Sequence, residues 1–267
     1  MEYFFETDYF NPALTLTGGQ AFRWTHSGGN EYSGVAGGRA VTLTHEKAGF
    51  RLLGASDKDL PFWKEYFDTD RDYKRVIRGF KTDPLLKKAC KYAHGLRLLR
   101  QEPFETLISF IISQCNNIPR IRGIIKRLCE GFGEEIGEGI CAFPDEKILA
   151  SSEEADLSPL RAGFRARYII DAARKVQKGE IDLNALYGMG TGEARQELMK
   201  ISGVGEKVAD CVLLFAYGKS DAFPKDVWVR RVLEKFYPDG LPDCVSGNEG
   251  LAQQYLFEYI RGNYKGM

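Results

Sequence analysis

The chain has 267 residues, 43% of them hydrophobic and 28% charged, an ordinary globular composition with enough length for a sizeable core and one or two domains. Thirty-seven basic residues balance 37 acidic ones, which excludes a generically basic nucleic-acid binder while leaving room for a local cationic patch. Six cysteines without CxxC spacing and only three histidines argue against a zinc site or an iron–sulfur cluster.

With no signal-peptide pattern, reduced thiols and an intracellular location are expected: cytoplasm and nucleoid in a prokaryote, nucleus in a eukaryote. No apolar run approaches the roughly 20 residues of a membrane span. Residues 1–55 read as β-rich, because "AFRW", "AVTLTHE" and "GFRLLGA" are short, partly alternating runs between glycine clusters such as Gly28-Gly29 and Gly37-Gly38. From about residue 58 the pattern turns helical. "PFETLISFIISQC" predicts a compact apolar helix that breaks at "NNIP". In "RIRGIIKRLCEGF" the apolar stripe is Ile121, Ile124, Ile125 and Leu128, with Gly131 as terminator. Residues 161–178 carry six cations against one acid, Asp171, which reads either as a solvated face or as a contact surface.

Residues 191–200 predict a short helix with Thr191 as N-cap. "ISGVG" is then a hairpin turn, and Lys207 to Tyr217 form a helix closed by Gly218. Asp226 precedes "VWVRRVL" as a natural N-cap, and "EGLAQQYLFEYIRG" makes the last helix. The fold class expected is α+β: a mostly helical chain with a helix-hairpin-helix motif at about 191–217, plus an N-terminal antiparallel sheet. The division expected is a β-containing part, 1–95, and a helical part, 96–267.

The stretch "ISGVGEKVADC" (201–211) holds the chemistry. Gly203 and Gly205 allow close approach of a backbone, and the N–H groups at the start of the next helix attract an anion such as a phosphate. Lys207 sits where a cation is disfavoured, and a neutral amine is a nucleophile able to form a Schiff base. A phosphate-pairing or solvent-exposed lysine fits that position as well. Cys211 and Phe215 follow Lys207 at four-residue steps, so the three share a face, either as pocket wall or as plain core. Asp226 returns 19 residues later, as a cap, as a proton manager for the lysine, or as both.

"LMKISGVGEKVADC…AFPKDVWV" resembles the hairpin and trailing aspartate of the helix-hairpin-helix DNA glycosylase superfamily. The resemblance implies that Lys207 attacks C1′ of a damaged nucleotide and that Asp226 supports glycosidic cleavage. Four further stretches resemble the 8-oxoguanine DNA glycosylase/AP lyase branch, so that the likeness runs from about residue 10 to 260. "GGQAFRW" implies that the Gly19 carbonyl accepts the N7–H that 8-oxoguanine has and guanine lacks. "CNNIPRI" implies that Asn116 and Arg120 occupy the place of the extruded base. "GFRARY" implies a wedge at Phe164 and a reader of the orphaned cytosine at Arg165. "GLAQQYLF" implies Gln253 at the base's Watson–Crick edge, with Phe257 and Cys211 sandwiching the base and Phe215 beside them.

In three places the sequence departs from the pattern. Cys115 stands where the family usually has asparagine, Phe164 where tyrosine is common, and Trp228 where a histidine often contacts phosphate. Gly203, Gly205, Val208 and Trp228 complete the implied DNA contacts.

The implied activity is that of a bifunctional glycosylase. It flips 8-oxoguanine out of duplex DNA, preferably opposite cytosine, excises it through a lysine Schiff base, and nicks by β-elimination. No cofactor is implied; a cation on the hairpin carbonyls of Met199, Ile201 and Val204 is a family feature that no side chain here marks. The partner is double-stranded DNA containing 8-oxoguanine, and a monomer is the simplest expectation. Two alternatives stay open. A lyase-competent glycosylase for oxidised pyrimidines would share Lys207 and Asp226 but usually carries a cysteine cluster after the aspartate, and here only Cys244 follows. A non-catalytic DNA-binding hairpin protein would explain the glycines but not Lys207, Asp226, Gln253 and Phe257 together.

Overall fold

The computed structural model describes residues 2–263. Strands β1 (Glu2–Glu6), β2 (Trp24–Gly28), β3 (Glu31–Ala36), β4 (Arg39–Glu46) and β5 (Gly49–Leu53) form one antiparallel sheet in the order β1-β5-β4-β3-β2. Tight turns join β2 to β5 in sequence, and β1 closes the far edge against β5. The alternation expected of residues 1–55 is real: Tyr32, Gly34 and Ala36 of β3 point inward and their neighbours outward. A short helix, α1 (Pro12–Thr17), interrupts the β-rich part and delivers the chain to Gly18 and Gly19.

The rest is helical apart from a small ribbon, β6 (Glu135–Gly137) with β7 (Ile140–Cys141). Helices α2 (Leu60–Tyr66), α3 (Tyr73–Phe80) and α4 (Pro84–Tyr92) precede α5 (Pro103–Ser113) and α6 (Ile118–Phe132). Then come α7 (Glu146–Ala150), α8 (Arg165–Gln177), α9 (Thr191–Leu198), α10 (Glu206–Phe215), α11 (Val227–Phe236) and α12 (Glu249–Asn263). Among the described residues, no helix is long and apolar enough to cross a membrane.

Helix boundaries shift by one to two residues from the sequence expectation, as at the end of α5, the start of α6 and the end of α9, and three differences concern named caps and terminators. Gly131 lies inside α6, which runs to Phe132 and ends at Gly133; one glycine in a helix costs only about 1 kcal/mol, and the packing of Leu128 and Cys129 outweighs it. Gly190, not Thr191, caps α9, because the Thr191 hydroxyl donates instead to Asp221 at 2.6 Å. Helix α10 ends at Phe215, two residues earlier than expected.

Two cores result. Phe5, Phe10, Trp24, Phe50, Trp63 and Phe67 fill the space between the sheet and α2. The larger core joins α3–α6 with α8–α10 and α12. Arg97, only 5% exposed, ties the two parts together. Its Nε donates to the Tyr9 carbonyl at 2.7 Å, Nη1 to the Asp68 carbonyl at 2.8 Å and Nη2 to the Thr7 hydroxyl at 2.9 Å. Hydrogen bonds to a charged group are worth about 1.5–3 kcal/mol each. Arg97→Met is therefore expected to remove at least about 3 kcal/mol of stability, seen as a lower urea midpoint; an unchanged midpoint would show that the guanidinium does not fasten the two parts.

Candidate active site

Helix α10 is buried from Val208 to Phe215. Only its first turn reaches the surface, and that turn carries Lys207. Helices α3–α7 and α11 begin with a side-chain cap, whereas α10 begins at Gly205, which has none. The first bond into the helix is Ala209 N–H to the Gly205 carbonyl at 3.0 Å, so the N–H groups of Glu206, Lys207 and Val208 have no intrahelical acceptor. An anion would meet them directly.

The two hairpin glycines serve different ends. Gly203 has φ +80°, and a Cβ there would fall into the Tyr168 ring. A Cβ on Gly205 would meet nothing within 4 Å, and its φ of −101° suits any residue. The protein itself needs a glycine at 203; at 205 the glycine leaves outer space clear. The turn is braced from behind, where Ser202 N–H donates to Asp171 at 2.7 Å and Lys175 pairs with Asp171 at 3.1 Å.

Asp226 caps α11, accepting Val229 N–H at 2.7 Å. Burial raises its pKa above the ordinary aspartate value, while the helix-start N–H groups of Val229 and Trp228 and the charge of Lys207 pull it back. The residue that caps α11 is thus also the one that feels the charge of Lys207.

Lys207 and Asp226 both line two adjoining spaces. One is an open cleft of about 810 Å³, with Cys115, Asn116, Arg120, Gly205, Val208 and Trp228 on its walls. The other is a small cavity of about 70 Å³, lined also by Gly19, Cys211, Phe215, Gln253 and Phe257. Every residue that the sequence assigned to the base lies in this cavity, drawn from α10, α12 and the turn after α1. Phe110, Pro224 and Gln254 line it too and were missed, as were Gln114, Lys225 and Arg230 in the cleft. Phe110 stacks on Phe215 at 5.4 Å and lies 5.5 Å from the Lys207 Nζ; in sequence it is one apolar residue among many in α5.

The cavity is held from several sides. Gly19 has φ +117°, a conformation that favours glycine. The Gly18 carbonyl just before it accepts from Arg261 Nη1 at 2.9 Å. Gln20 just after it is pinned to the 97–101 segment, donating to the Arg97 carbonyl at 2.7 Å and accepting Leu99 N–H at 2.9 Å. Arg261 also pairs with Glu258 at 2.7 Å and lies 5.3 Å from the Phe257 ring centre. One arginine thus links the Gly18-Gly19 turn to the aromatic wall. Burial pushes the Cys211 thiol up to about 11, against the pull of the Lys207 charge. It is a neutral wall at pH 7, not a nucleophile.

The cleft-mouth residues divide. Phe164 is 50% exposed and packed edge-on to Tyr168 at 5.9 Å. Arg120 is exposed on the first turn of α6. Cys115 is exposed at φ +50° in the loop before it. Asn116 turns back, its side chain donating to the Ile112 carbonyl at 2.8 Å. Arg165 is buried: Nε donates to the Gln114 carbonyl at 2.8 Å and Nη1 to the Ala162 carbonyl at 3.1 Å. Its guanidinium thus holds the 113–117 loop and does not project into the cleft. The cationic run 161–178 is likewise partly spent internally. Arg174 donates to the carbonyls of Ala150 and Ser152, and Lys175 to that of Lys200.

A cleft that opens onto helix-start N–H groups, with a lysine and an aspartate that also line an aromatic-walled cavity, occurs here in a chain that two DNA-repair family models match. The HhH-GPD superfamily base excision DNA repair model matches residues 108–240. The model of the 8-oxoguanine DNA glycosylase N-terminal domain matches residues 3–107. The N-glycosylase/DNA lyase of Saccharomyces cerevisiae is 32% identical over 260 residues, covering 84% of this chain and 68% of the yeast protein. The probable N-glycosylase/DNA lyase of Methanothermobacter thermautotrophicus is 35% identical over 224 residues, covering 74% and 72%. In structure, the Clostridium acetobutylicum 8-oxoguanine glycosylase/lyase, bound to double-stranded DNA with cytosine opposite 8-oxoG, superposes with a TM-score of 0.90 at 34% identity, covering 98% of each chain. The chain belongs to the 8-oxoguanine DNA glycosylase family.

The contrast between the two glycines is testable. Gly205→Ala should fold with a stability loss of no more than about 1 kcal/mol, the usual scale of an N-cap change, yet bind duplex DNA more weakly. Gly203→Ala should lower the unfolding midpoint itself. Equal DNA affinity for Gly205→Ala and the parent protein would show that nothing approaches the turn there.

Proposed function

We propose that the protein excises 8-oxoguanine from duplex DNA and nicks the resulting abasic site. It is a DNA glycosylase with lyase activity, and its partner is double-stranded DNA. The observation that carries the finer mechanism is that Lys207 and Asp226 line both the open cleft and the small cavity. A duplex lies along the cleft, its backbone on the uncapped start of α10. A base inside a duplex is out of reach, so the lesion swings through the door between the two residues.

The chemistry follows from those positions. The Lys207 amine attacks C1′ and the glycosidic bond breaks, its electron pair leaving with the base. The amine, now bonded to C1′, passes one proton to the departing base and the other to O4′ as the C1′–O4′ bond breaks, which opens the sugar ring and leaves an imine between Lys207 and C1′. Loss of a C2′ proton then expels the 3′ phosphate, which is β-elimination. Asp226, held by the α11 cap, stabilises the positive charge that develops at the sugar and exchanges protons with the amine. The Gly19 carbonyl selects the lesion by accepting N7–H, Gln253 reads the Watson–Crick edge, and Phe257 and Cys211 clasp the base. Phe164 wedges the duplex, and Arg120, exposed at the cleft mouth, enters the place of the extruded base, within reach of the orphaned cytosine that the resemblance gives to Arg165. Arg165 supports that reading by fixing the loop that carries Cys115 and Asn116, and its remaining N–H donors can join once DNA moves the loop. The N-terminal part (1–95) supplies Gly19, and the helical part (96–267) supplies the reacting groups.

No cofactor enters these steps. A cation on the hairpin would rest on the carbonyls of Met199, Ile201 and Val204, of which Ile201 already accepts Val204 N–H at 3.0 Å; the second lone pair of that carbonyl leaves room for one.

Strand cleavage of an 8-oxoguanine·cytosine duplex tests the reading, with a thymine-glycol duplex beside it. The 8-oxoguanine substrate should be cut in preference, and Lys207→Gln should cut neither. Preference for thymine glycol would give the site to oxidised pyrimidines. Asp226→Asn should lose about 10²–10⁴ in rate, the range of a positioned acid–base group. Because burial raises the Asp226 pKa, the carboxylate gives way to the acid at a higher pH than an exposed aspartate would. The rate should therefore fall on the acid side above the ordinary aspartate range, and Asp226→Asn should abolish that limb. A limb that persists in the variant would assign it to another group.

A further inference from the structure

A second cationic feature lies away from the active site. Helices α3 and α4 border a groove of about 740 Å³ whose floor includes Tyr9, Ile77 and Cys90. Lys74, Arg78 and Lys81 line it from the α3 side, and Lys87, Lys91 and His94 from the α4 side. Lys74 and Arg78 stand one turn apart on one face of α3, as Lys87 and Lys91 do on α4, while Lys81 and His94 follow just past the two helix ends. All six are exposed. Lys74 pairs with Asp8; among the described residues Arg78, Lys81, Lys87 and Lys91 have no carboxylate partner. Like charges at i, i+4 destabilise a helix, and a chain of zero net charge had acids to spare for them.

The groove is on the far side of α12 from the substrate cavity. Gln253 and Phe257 of α12 face the cavity. Tyr255 and Tyr259 face the other way, Tyr255 bonding the Tyr9 hydroxyl at 2.8 Å and Tyr259 meeting Tyr92 edge-on at 5.8 Å. No residue of the hairpin, nor Lys207, lines it.

We infer that the α3–α4 groove is a second, sequence-independent contact for the phosphate backbone of DNA, taking a different stretch from the one held at Lys207. This rests on the DNA-repair reading above. Charge complementarity favours that occupant: two rows of cations spaced about 6 Å apart along a helix match an extended, regularly charged strand better than a compact anion. The established partner of the family is itself a polyanion. Held at both places, the protein keeps hold of DNA while the catalytic cleft is being emptied.

The test first fills the active site by borohydride trapping on a short 8-oxoguanine duplex, then titrates a labelled undamaged duplex. Failure to trap would sink the mechanism rather than this inference. The trapped protein should bind the second duplex, and four neutralised phosphates predict a log–log salt slope of about −3.6, a weakening of roughly a hundredfold between 50 and 200 mM salt. The quadruple variant Arg78→Ala/Lys81→Ala/Lys87→Ala/Lys91→Ala should lose this binding while excising 8-oxoguanine from a short duplex at the parent rate in single turnover. Absence of a second duplex on the trapped parent protein would overturn the inference. So would unchanged second-duplex binding by the variant, or binding of a polyglutamate peptide in place of DNA, which would mark the groove as a protein-docking surface.

Discussion

The burial of α10 is the constraint on which the site depends. Eight successive residues of this helix, Val208 to Phe215, are withdrawn from solvent, so its axis cannot shift without opening the main core. That rigidity fixes the one turn left outside. Lys207 therefore stands at a set depth, between the open cleft and a cavity lined by aromatic rings. The neighbouring parts are placed against it: Asp226 by the cap of α11, Phe257 and Gln253 by α12, and Gly19 by the turn that Arg261 and Gln20 hold from either side.

The cavity in this state is too small for a base. Its roughly 70 Å³ falls well below the ~300–1,000 Å³ of a formed ligand pocket. Gln253 and Gln254 bond to each other at 2.6 Å within it, an arrangement that satisfies two buried amides at little cost. Under the mechanism proposed above, admitting a base would exchange that bond for one to the base edge.

Much of this was legible in the sequence, and the reason is local. Gly203, Gly205, Lys207 and Asp226 announce themselves because a turn, a helix start and a cap each demand particular residue types within a few positions. Gln253 and Phe257 share a helix face by spacing alone, and the resemblance of the surrounding stretches named their roles. What could not be read depends on contacts between distant segments. The inward turn of Arg165 is set by carbonyls at 114 and 162. Arg174 and Lys175 look like free charge in the run 161–178 until α7 and the hairpin are packed against them. Phe110 became a wall of the cavity only because α5 lies on α10, and the Thr191 hydroxyl left its cap for Asp221, 30 positions away.

The central claim is that the Lys207 nitrogen itself becomes bonded to the sugar. Mass spectrometry of the borohydride-reduced adduct, after protease and nuclease digestion, tests it most directly. The account predicts a deoxyribose-derived mass increment on the peptide containing Lys207 and no increment on peptides containing Lys225 or Lys200. An increment on either of those, or a trapped adduct formed by Lys207→Gln, would contradict it.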